Sequence, residues 1–149
     1  MAKTKLLLTT FILLLAFVVQ AQMVLEYDIV PANPTISLPL YGTVNVSVDW
    51  GDGSAVQTFT TAGDKNHTYT SMGTQTVTIT GTLTHFGSTA NFSNKKRLTK
   101  VHSWDGLGLT SLSNAFYSAI SLIEVPSALP SGVTDLSYMF YSATLFNQD

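Results

Sequence analysis

Between positions 49 and 69 the chain gathers carboxylates, an indole, an imidazole and a phenol: Asp49-Trp50-Gly51-Asp52-Gly53, then His67-Thr68-Tyr69. Acids alternating with glycine in a turn are the oxygen donors a calcium loop uses, and a nearby histidine is the side chain most often used as a general base. The spacing argues against both chemistries. An EF-hand loop alternates oxygen donors and closes on a glutamate at its twelfth position. Here Trp50 separates the acids, and the twelfth position is Thr60. A turn aspartate more simply caps backbone amides, and a strand histidine beside Tyr69 more simply packs. Trp50, Gly51, Asp52, Gly53, His67 and Tyr69 therefore read as a structural motif, with no metal, no cofactor and no catalytic residue expected. Asp105, Glu124 and Asp135 in the later part of the chain are scattered, so no carboxylate pair is framed for glycoside hydrolysis. No G-x-S-x-G, H-E-x-x-H or G-x-x-x-x-G-K motif occurs. The expectation is a non-enzyme. Candidate contact residues are Tyr117 and Tyr141, together with the basic cluster Lys95, Lys96 and Arg97.

The 149 residues carry a net charge of −2, and no cysteine is present. That excludes a disulfide scaffold, a thiolate nucleophile and cysteine-ligated zinc. Met1–Lys5 is a short basic stretch, Leu6–Val19 is apolar with threonines, and Val19-Gln20-Ala21 suits a cleavage site. Residues 1–21 thus read as a secretory signal peptide, because fourteen helical residues reach about 21 Å against a hydrocarbon core of about 30 Å. Without Lys3 and Lys5, five cations face nine anions, which excludes a nucleic-acid partner held by phosphate neutralisation. No second long apolar stretch follows, so no membrane span is expected after signal removal. Export without cysteine points to a bacterial secreted or cell-surface protein.

From Met23 to about Phe86 the hydrophobic period is two. Val44, Val46, Val48 and Trp50 share one strand face, while Thr43, Asn45, Ser47 and Asp49 share the other. Gly51-Asp52-Gly53-Ser54 reverses the chain, and Val56–Thr61 returns as the hairpin partner. His67–Thr70 and Thr74–Thr84 follow as strands, the second with Val77, Ile79 and Leu83 inward. Upstream, Val24–Val30 and Thr35–Leu40 add two more, with Pro31, Pro34 and Pro39 confining them to edges or bends. Short threonine-rich strands punctuated by glycine predict a β-sandwich over residues 22–88. The series Val48-Asp49-Trp50-Gly51-Asp52-Gly53-Ser54, His67-Thr68-Tyr69 and Gly73-Thr74-Gln75-Thr76-Val77-Thr78-Ile79 resembles a polycystic-kidney-disease (PKD) type domain. The resemblance implies an immunoglobulin-like extracellular module used as a spacer or for binding.

The last segment repeats at a step of 24. Leu109–Ala119 and Val133–Ala143 agree at seven of eleven positions, among them Phe116 with Phe140 and Tyr117 with Tyr141. At the same step Phe116 falls on Phe92, Leu122 on Leu98 and on Phe146, and Val125 on Val101. A fixed period of this length marks a repeat array. Phe92, Phe116, Phe140 and Phe146 then read as a core ladder. Within a unit, Leu122–Pro126 reads as a short strand, and Leu112–Ala119 as one or two helical turns with Leu112, Ala115, Phe116 and Ala119 on one side. Ala115-Phe116, Leu122 and Val125-Pro126 resemble the BspA-like leucine-rich repeats of bacterial surface proteins. Val133-Thr134-Asp135-Leu136-Ser137-Tyr138-Met139-Phe140 with Phe146-Asn147-Gln148-Asp149 is similar to a related repeat of the same group.

The expected architecture is therefore mainly β: a small immunoglobulin-like sandwich (22–88) followed by a short leucine-rich-repeat solenoid (89–149). Its last unit stops 17 residues into the 24-residue step, which predicts a truncated array. The expected function is that of an exported, non-catalytic surface protein that binds a protein or glycan ligand. The competing expectation is an accessory region, glycan-binding or spacer, of a secreted polysaccharide-active enzyme.

Overall fold

In the computed structural model, residues 22–88 and 95–148 are described. Residues 1–21, read above as a signal peptide, and Phe92 and Asp149 lie outside them.

The architecture is mainly β. Six strands form one antiparallel sheet: β1 (Gln22–Ile29), β2 (Thr35–Asp49), β3 (Gln57–Phe59), β4 (Gly63–Thr68), β5 (Gly73–Phe86) and β6 (Leu98–Trp104). The order is β3-β2-β5-β1-β6, and β4 also pairs with β2. The separate strands expected at Thr35–Leu40 and Thr43–Trp50 are one strand of 15 residues, in a single sheet where a sandwich was expected. Its first half carries β4 (Thr35↔Thr68 to Leu40↔Gly63) and its second half carries β3 (Val46↔Phe59 to Val48↔Gln57), while β5 runs along Leu40–Asp49. A bulge between Tyr41 and Val44 lets the strand turn from one ladder to the other. Gly42 makes that bulge, with φ +68, and a Cβ there would run into the Thr84 side chain.

The period-two pattern holds at Val44, Val46, Val48, Trp50, Val77, Ile79 and Leu83, all buried, whereas the first half of β2 is buried without alternation from Ile36 to Leu40. β6 is a strand that the pattern did not announce. Its buried residues, Leu98, Val101 and Trp104, are three apart, because two register shifts against β1 break the alternation.

Beyond β6 the chain winds through turns in a first and a second circuit, and the bridges Ser111–Asp135 and Lys100–Glu124 each step 24 residues. Parallel bridges join His85 to Ser111 and Ser111 to Asp135 on one side, and Lys100 to Glu124 on another. The repeat step is thus a spatial step. Two local expectations are corrected. Leu112–Ala119 is not helical: it is a run of turns closed by Ala115 N–H to Leu112 O and Ala119 N–H to Phe116 O. Asn114 (φ 57) and Ser118 (φ 58) adopt positive φ, which interrupts an α-helix, and Tyr138 (φ 55) and Ser142 (φ 58) repeat this one step later. Leu122–Pro126 forms only the isolated bridge at Glu124.

One continuous hydrophobic core runs from Met23 in β1 to Met139 in the second circuit. Phe86, Phe116 and Phe140 line up through it, with ring centroids 6.3 and 5.6 Å apart. Trp104 stacks on Phe116 at 6.2 Å and donates from Nε1 to Ala128 O at 2.7 Å. No helix among the described residues is long and apolar enough to cross a membrane.

Candidate functional site

The glycine turn after β2 folds back over the end of β4. Gly51 has φ +79, and a Cβ there would collide with the Thr76 carbonyl, so only glycine admits this approach. Asp49 Oδ1 accepts from Gly51 N–H at 2.9 Å, and Asp52 Oδ1 accepts from Ser54 N–H at 3.0 Å. Asp52 Oδ2 meets His67 Nε2 at 2.8 Å. Both oxygens of Asp52 are therefore engaged. Hydrogen bonds from Ser54 and then His67 hold its carboxyl down at about 2.

The imidazole of His67 lies flat on Trp50, 4.6 Å between centroids and 8° between planes, with Tyr69 edge-on at 4.7 Å. Trp50 Nε1 donates to Gln57 Oε1 at 2.9 Å, and Tyr69 Oη–H donates to Trp50 O, also at 2.9 Å. Burial raises the Tyr69 hydroxyl above the usual phenol range. Trp50, Asp52, His67 and Tyr69 are thus brought together as an interlocked corner whose polar atoms are hydrogen-bonded to one another or to Ser54 and Gln57.

The repeat circuits carry the second cluster. Tyr117 and Tyr141 stack at 4.9 Å and 24°, in register across the 24-residue step. Tyr138 meets Tyr141 edge-on at 6.0 Å. Tyr138 is 66% exposed and Tyr141 53% exposed, whereas Tyr117 is half-buried and Phe116, one residue before it, is fully buried. Phe140 is half-buried between Phe116 and Phe146. Sequence reasoning passed over Tyr138. The available signal was the repeat itself: a tyrosine where the preceding unit has Asn114 is not needed by the shared core.

The basic cluster is split by the fold. Lys95 is 5% exposed, donates from Nζ to the Ser88 and Asn114 carbonyls, and its ammonium is pushed down to about 8 by burial. It is a buried clip between β5 and the first circuit, not a contact residue. Arg97 is half-buried, and its buried Nε finds no hydrogen-bond partner among the described residues. Lys96 alone of the three is fully on the surface.

A further polar group escaped the sequence pattern because its members lie more than seventy residues apart. Glu26 accepts from Thr99 Oγ1 at 3.0 Å and meets His102 at 3.1 Å. Burial opposes ionisation there, yet these hydrogen bonds hold the carboxyl below its ordinary value. An open groove of about 380 Å³ between Asp105–Thr110 and Pro130–Gly132 contains a single carboxylate, that of Asp105.

Comparison with family models, with curated proteins and with solved structures yields no match.

Proposed function

We propose that this chain is the binding region of an exported bacterial cell-surface protein, in which a PKD-type immunoglobulin-like module carries BspA-like leucine-rich circuits and holds a protein or glycan partner without turning it over. The observation that carries the reading is the exposed pair Tyr138 and Tyr141, with Tyr141 stacked on the half-buried Tyr117. Tyrosines supply large, amphipathic contact area at low conformational cost, and these are already ordered by stacking. The acids of the glycine turn support the non-catalytic part of the reading, since each caps a backbone amide.

The test is affinity electrophoresis of the chain and of a Tyr138→Ser/Tyr141→Ser double variant through gels containing a panel of polysaccharides, with surface extracts immobilised in parallel. The reading expects a retained ligand whose affinity drops at least about tenfold in the double variant. Release of reducing ends from any polysaccharide, abolished by Asp52→Ala, overturns it.

A further inference from the structure

We propose that the groove between loops 105–110 and 130–132 is a binding site for an N-acetylated amino sugar, recognised through its acetamido group. The inference goes beyond the tyrosine row, uses none of its residues and stands whether or not the tyrosines bind.

Both walls of the groove are built from small residues. Gly106-Leu107-Gly108 lies one 24-residue step before Pro130-Ser131-Gly132, so equivalent loops of consecutive circuits border about 380 Å³ of open space. Gly106 and Gly108 hold φ +75 and +81, which glycine adopts freely. A Cβ at Gly108 would meet no atom within 4 Å. The wall there is bare backbone.

That backbone is rich in unused donors. The N–H groups of Gly106, Gly108, Leu109, Ser131 and Gly132 have no acceptor among the described residues. Buried polar groups of this kind are normally paired, so a ligand that supplies acceptors gains from each of them. The one charge in the lining is Asp105, which is exposed and belongs to no ion pair among the described residues. Thr110 Oγ1 donates to Thr84 O at 3.1 Å, which leaves its lone pairs able to accept. Leu109 and Pro130 add apolar lining.

The complement of this set is specific. It offers a carbonyl oxygen to the free amides, an N–H to the carboxylate and a small apolar group to Leu109 and Pro130. An acetamido group carries all three within four heavy atoms. The sugar ring beside it brings hydroxyls for Thr110 and Ser131, and the volume lies in the range of small-ligand pockets. A plain hexose lacks the carbonyl and the methyl. An acidic sugar would meet Asp105. An extended peptide strand pairs along a single edge, whereas the free donors here come from two loops on either side of the groove.

The test titrates the disaccharide of N-acetylglucosamine into the nitrogen-labelled chain and follows amide chemical shifts. The amides of Gly106, Gly108, Leu109, Ser131 and Gly132 should shift with a Kd of about 1 mM, and cellobiose, which differs only in lacking the acetamido groups, should bind at least about tenfold more weakly. Asp105→Ala, at an exposed position, should weaken binding about tenfold while the amides of Val46 and Ile79 stay in place. Tyr138→Ser/Tyr141→Ser should leave the titration unchanged, so loss of the tyrosine site and loss of this one are told apart. No shift up to about 20 mM, equal binding of cellobiose, full binding by Asp105→Ala, or tighter binding of a capped glycine peptide would each overturn the proposal.

Discussion

At Trp50, burial, a ring stack and two hydrogen-bonded neighbours converge. The indole is fully buried, covered by His67, and tied to Gln57, while its carbonyl receives Tyr69. Truncating it opens a large cavity, strips His67 of its stacking partner and leaves Gln57 Oε1 without its donor. Trp50→Ala should cost about 3–5 kcal/mol in urea denaturation. Asp49→Ala gives up one exposed amide cap and should cost about 1 kcal/mol. Equal losses would contradict the assigned strand faces. Asp52 adds a pH dependence. Its folded carboxyl sits at about 2, below the ordinary 3.8, so its contribution is complete above about pH 4 and is lost as pH falls toward 2. Denaturation midpoints should fall across that window, and Asp52→Asn should flatten the fall. An identical slope in the variant would show that the His67 and Ser54 bonds leave stability unchanged.

Among the elements, some were legible in the sequence and some were not. The hairpin around Gly51–Ser54 was legible because glycine and aspartate do the same local work in any fold. The 24-residue step was legible because stacked circuits need the same apolar residues at the same places. β6 was hidden, since register shifts against β1 space its buried residues by three. The turn run Leu112–Ala119 was misread because i, i+3, i+4, i+7 spacing suits an α-helix and a chain of turns alike. What separates them is positive φ at Asn114 and Ser118, which side-chain hydrophobicity does not encode. At the site, the corner of Trp50, Asp52, His67 and Tyr69 was readable as a motif, whereas the burial of Lys95 depends on tertiary packing alone. The turn geometry itself is testable. Ser118→Gly should leave stability within about 0.5 kcal/mol, whereas Ser118→Val should lower it by about 1–2 kcal/mol, since a β-branched residue resists φ 58. Tolerance of valine by thermal denaturation would refute the left-handed assignment.

For the molecule as a whole, the sheet and the circuits share one interior. Backbone bonds cross between them at Leu83 N–H to Leu107 O, Thr110 N–H to Thr84 O, Val101 N–H to Glu124 O and Ile123 N–H to Thr99 O. Phe86, Phe116 and Trp104 pack across the same junction. This continuity suits the proposed binding role of the tyrosine row, because a surface held rigid before contact loses less entropy on contact. A row carried on a loosely attached repeat would lack that advantage. Native-state hydrogen exchange under increasing urea measures the difference directly. The amides of Asn114, Phe116 and Ser118 should open with the same free energy and urea dependence as those of Val46 and Ile79, as one cooperative unit. Circuit amides that exchange freely while the sheet stays protected would contradict the rigid platform on which the binding proposal stands.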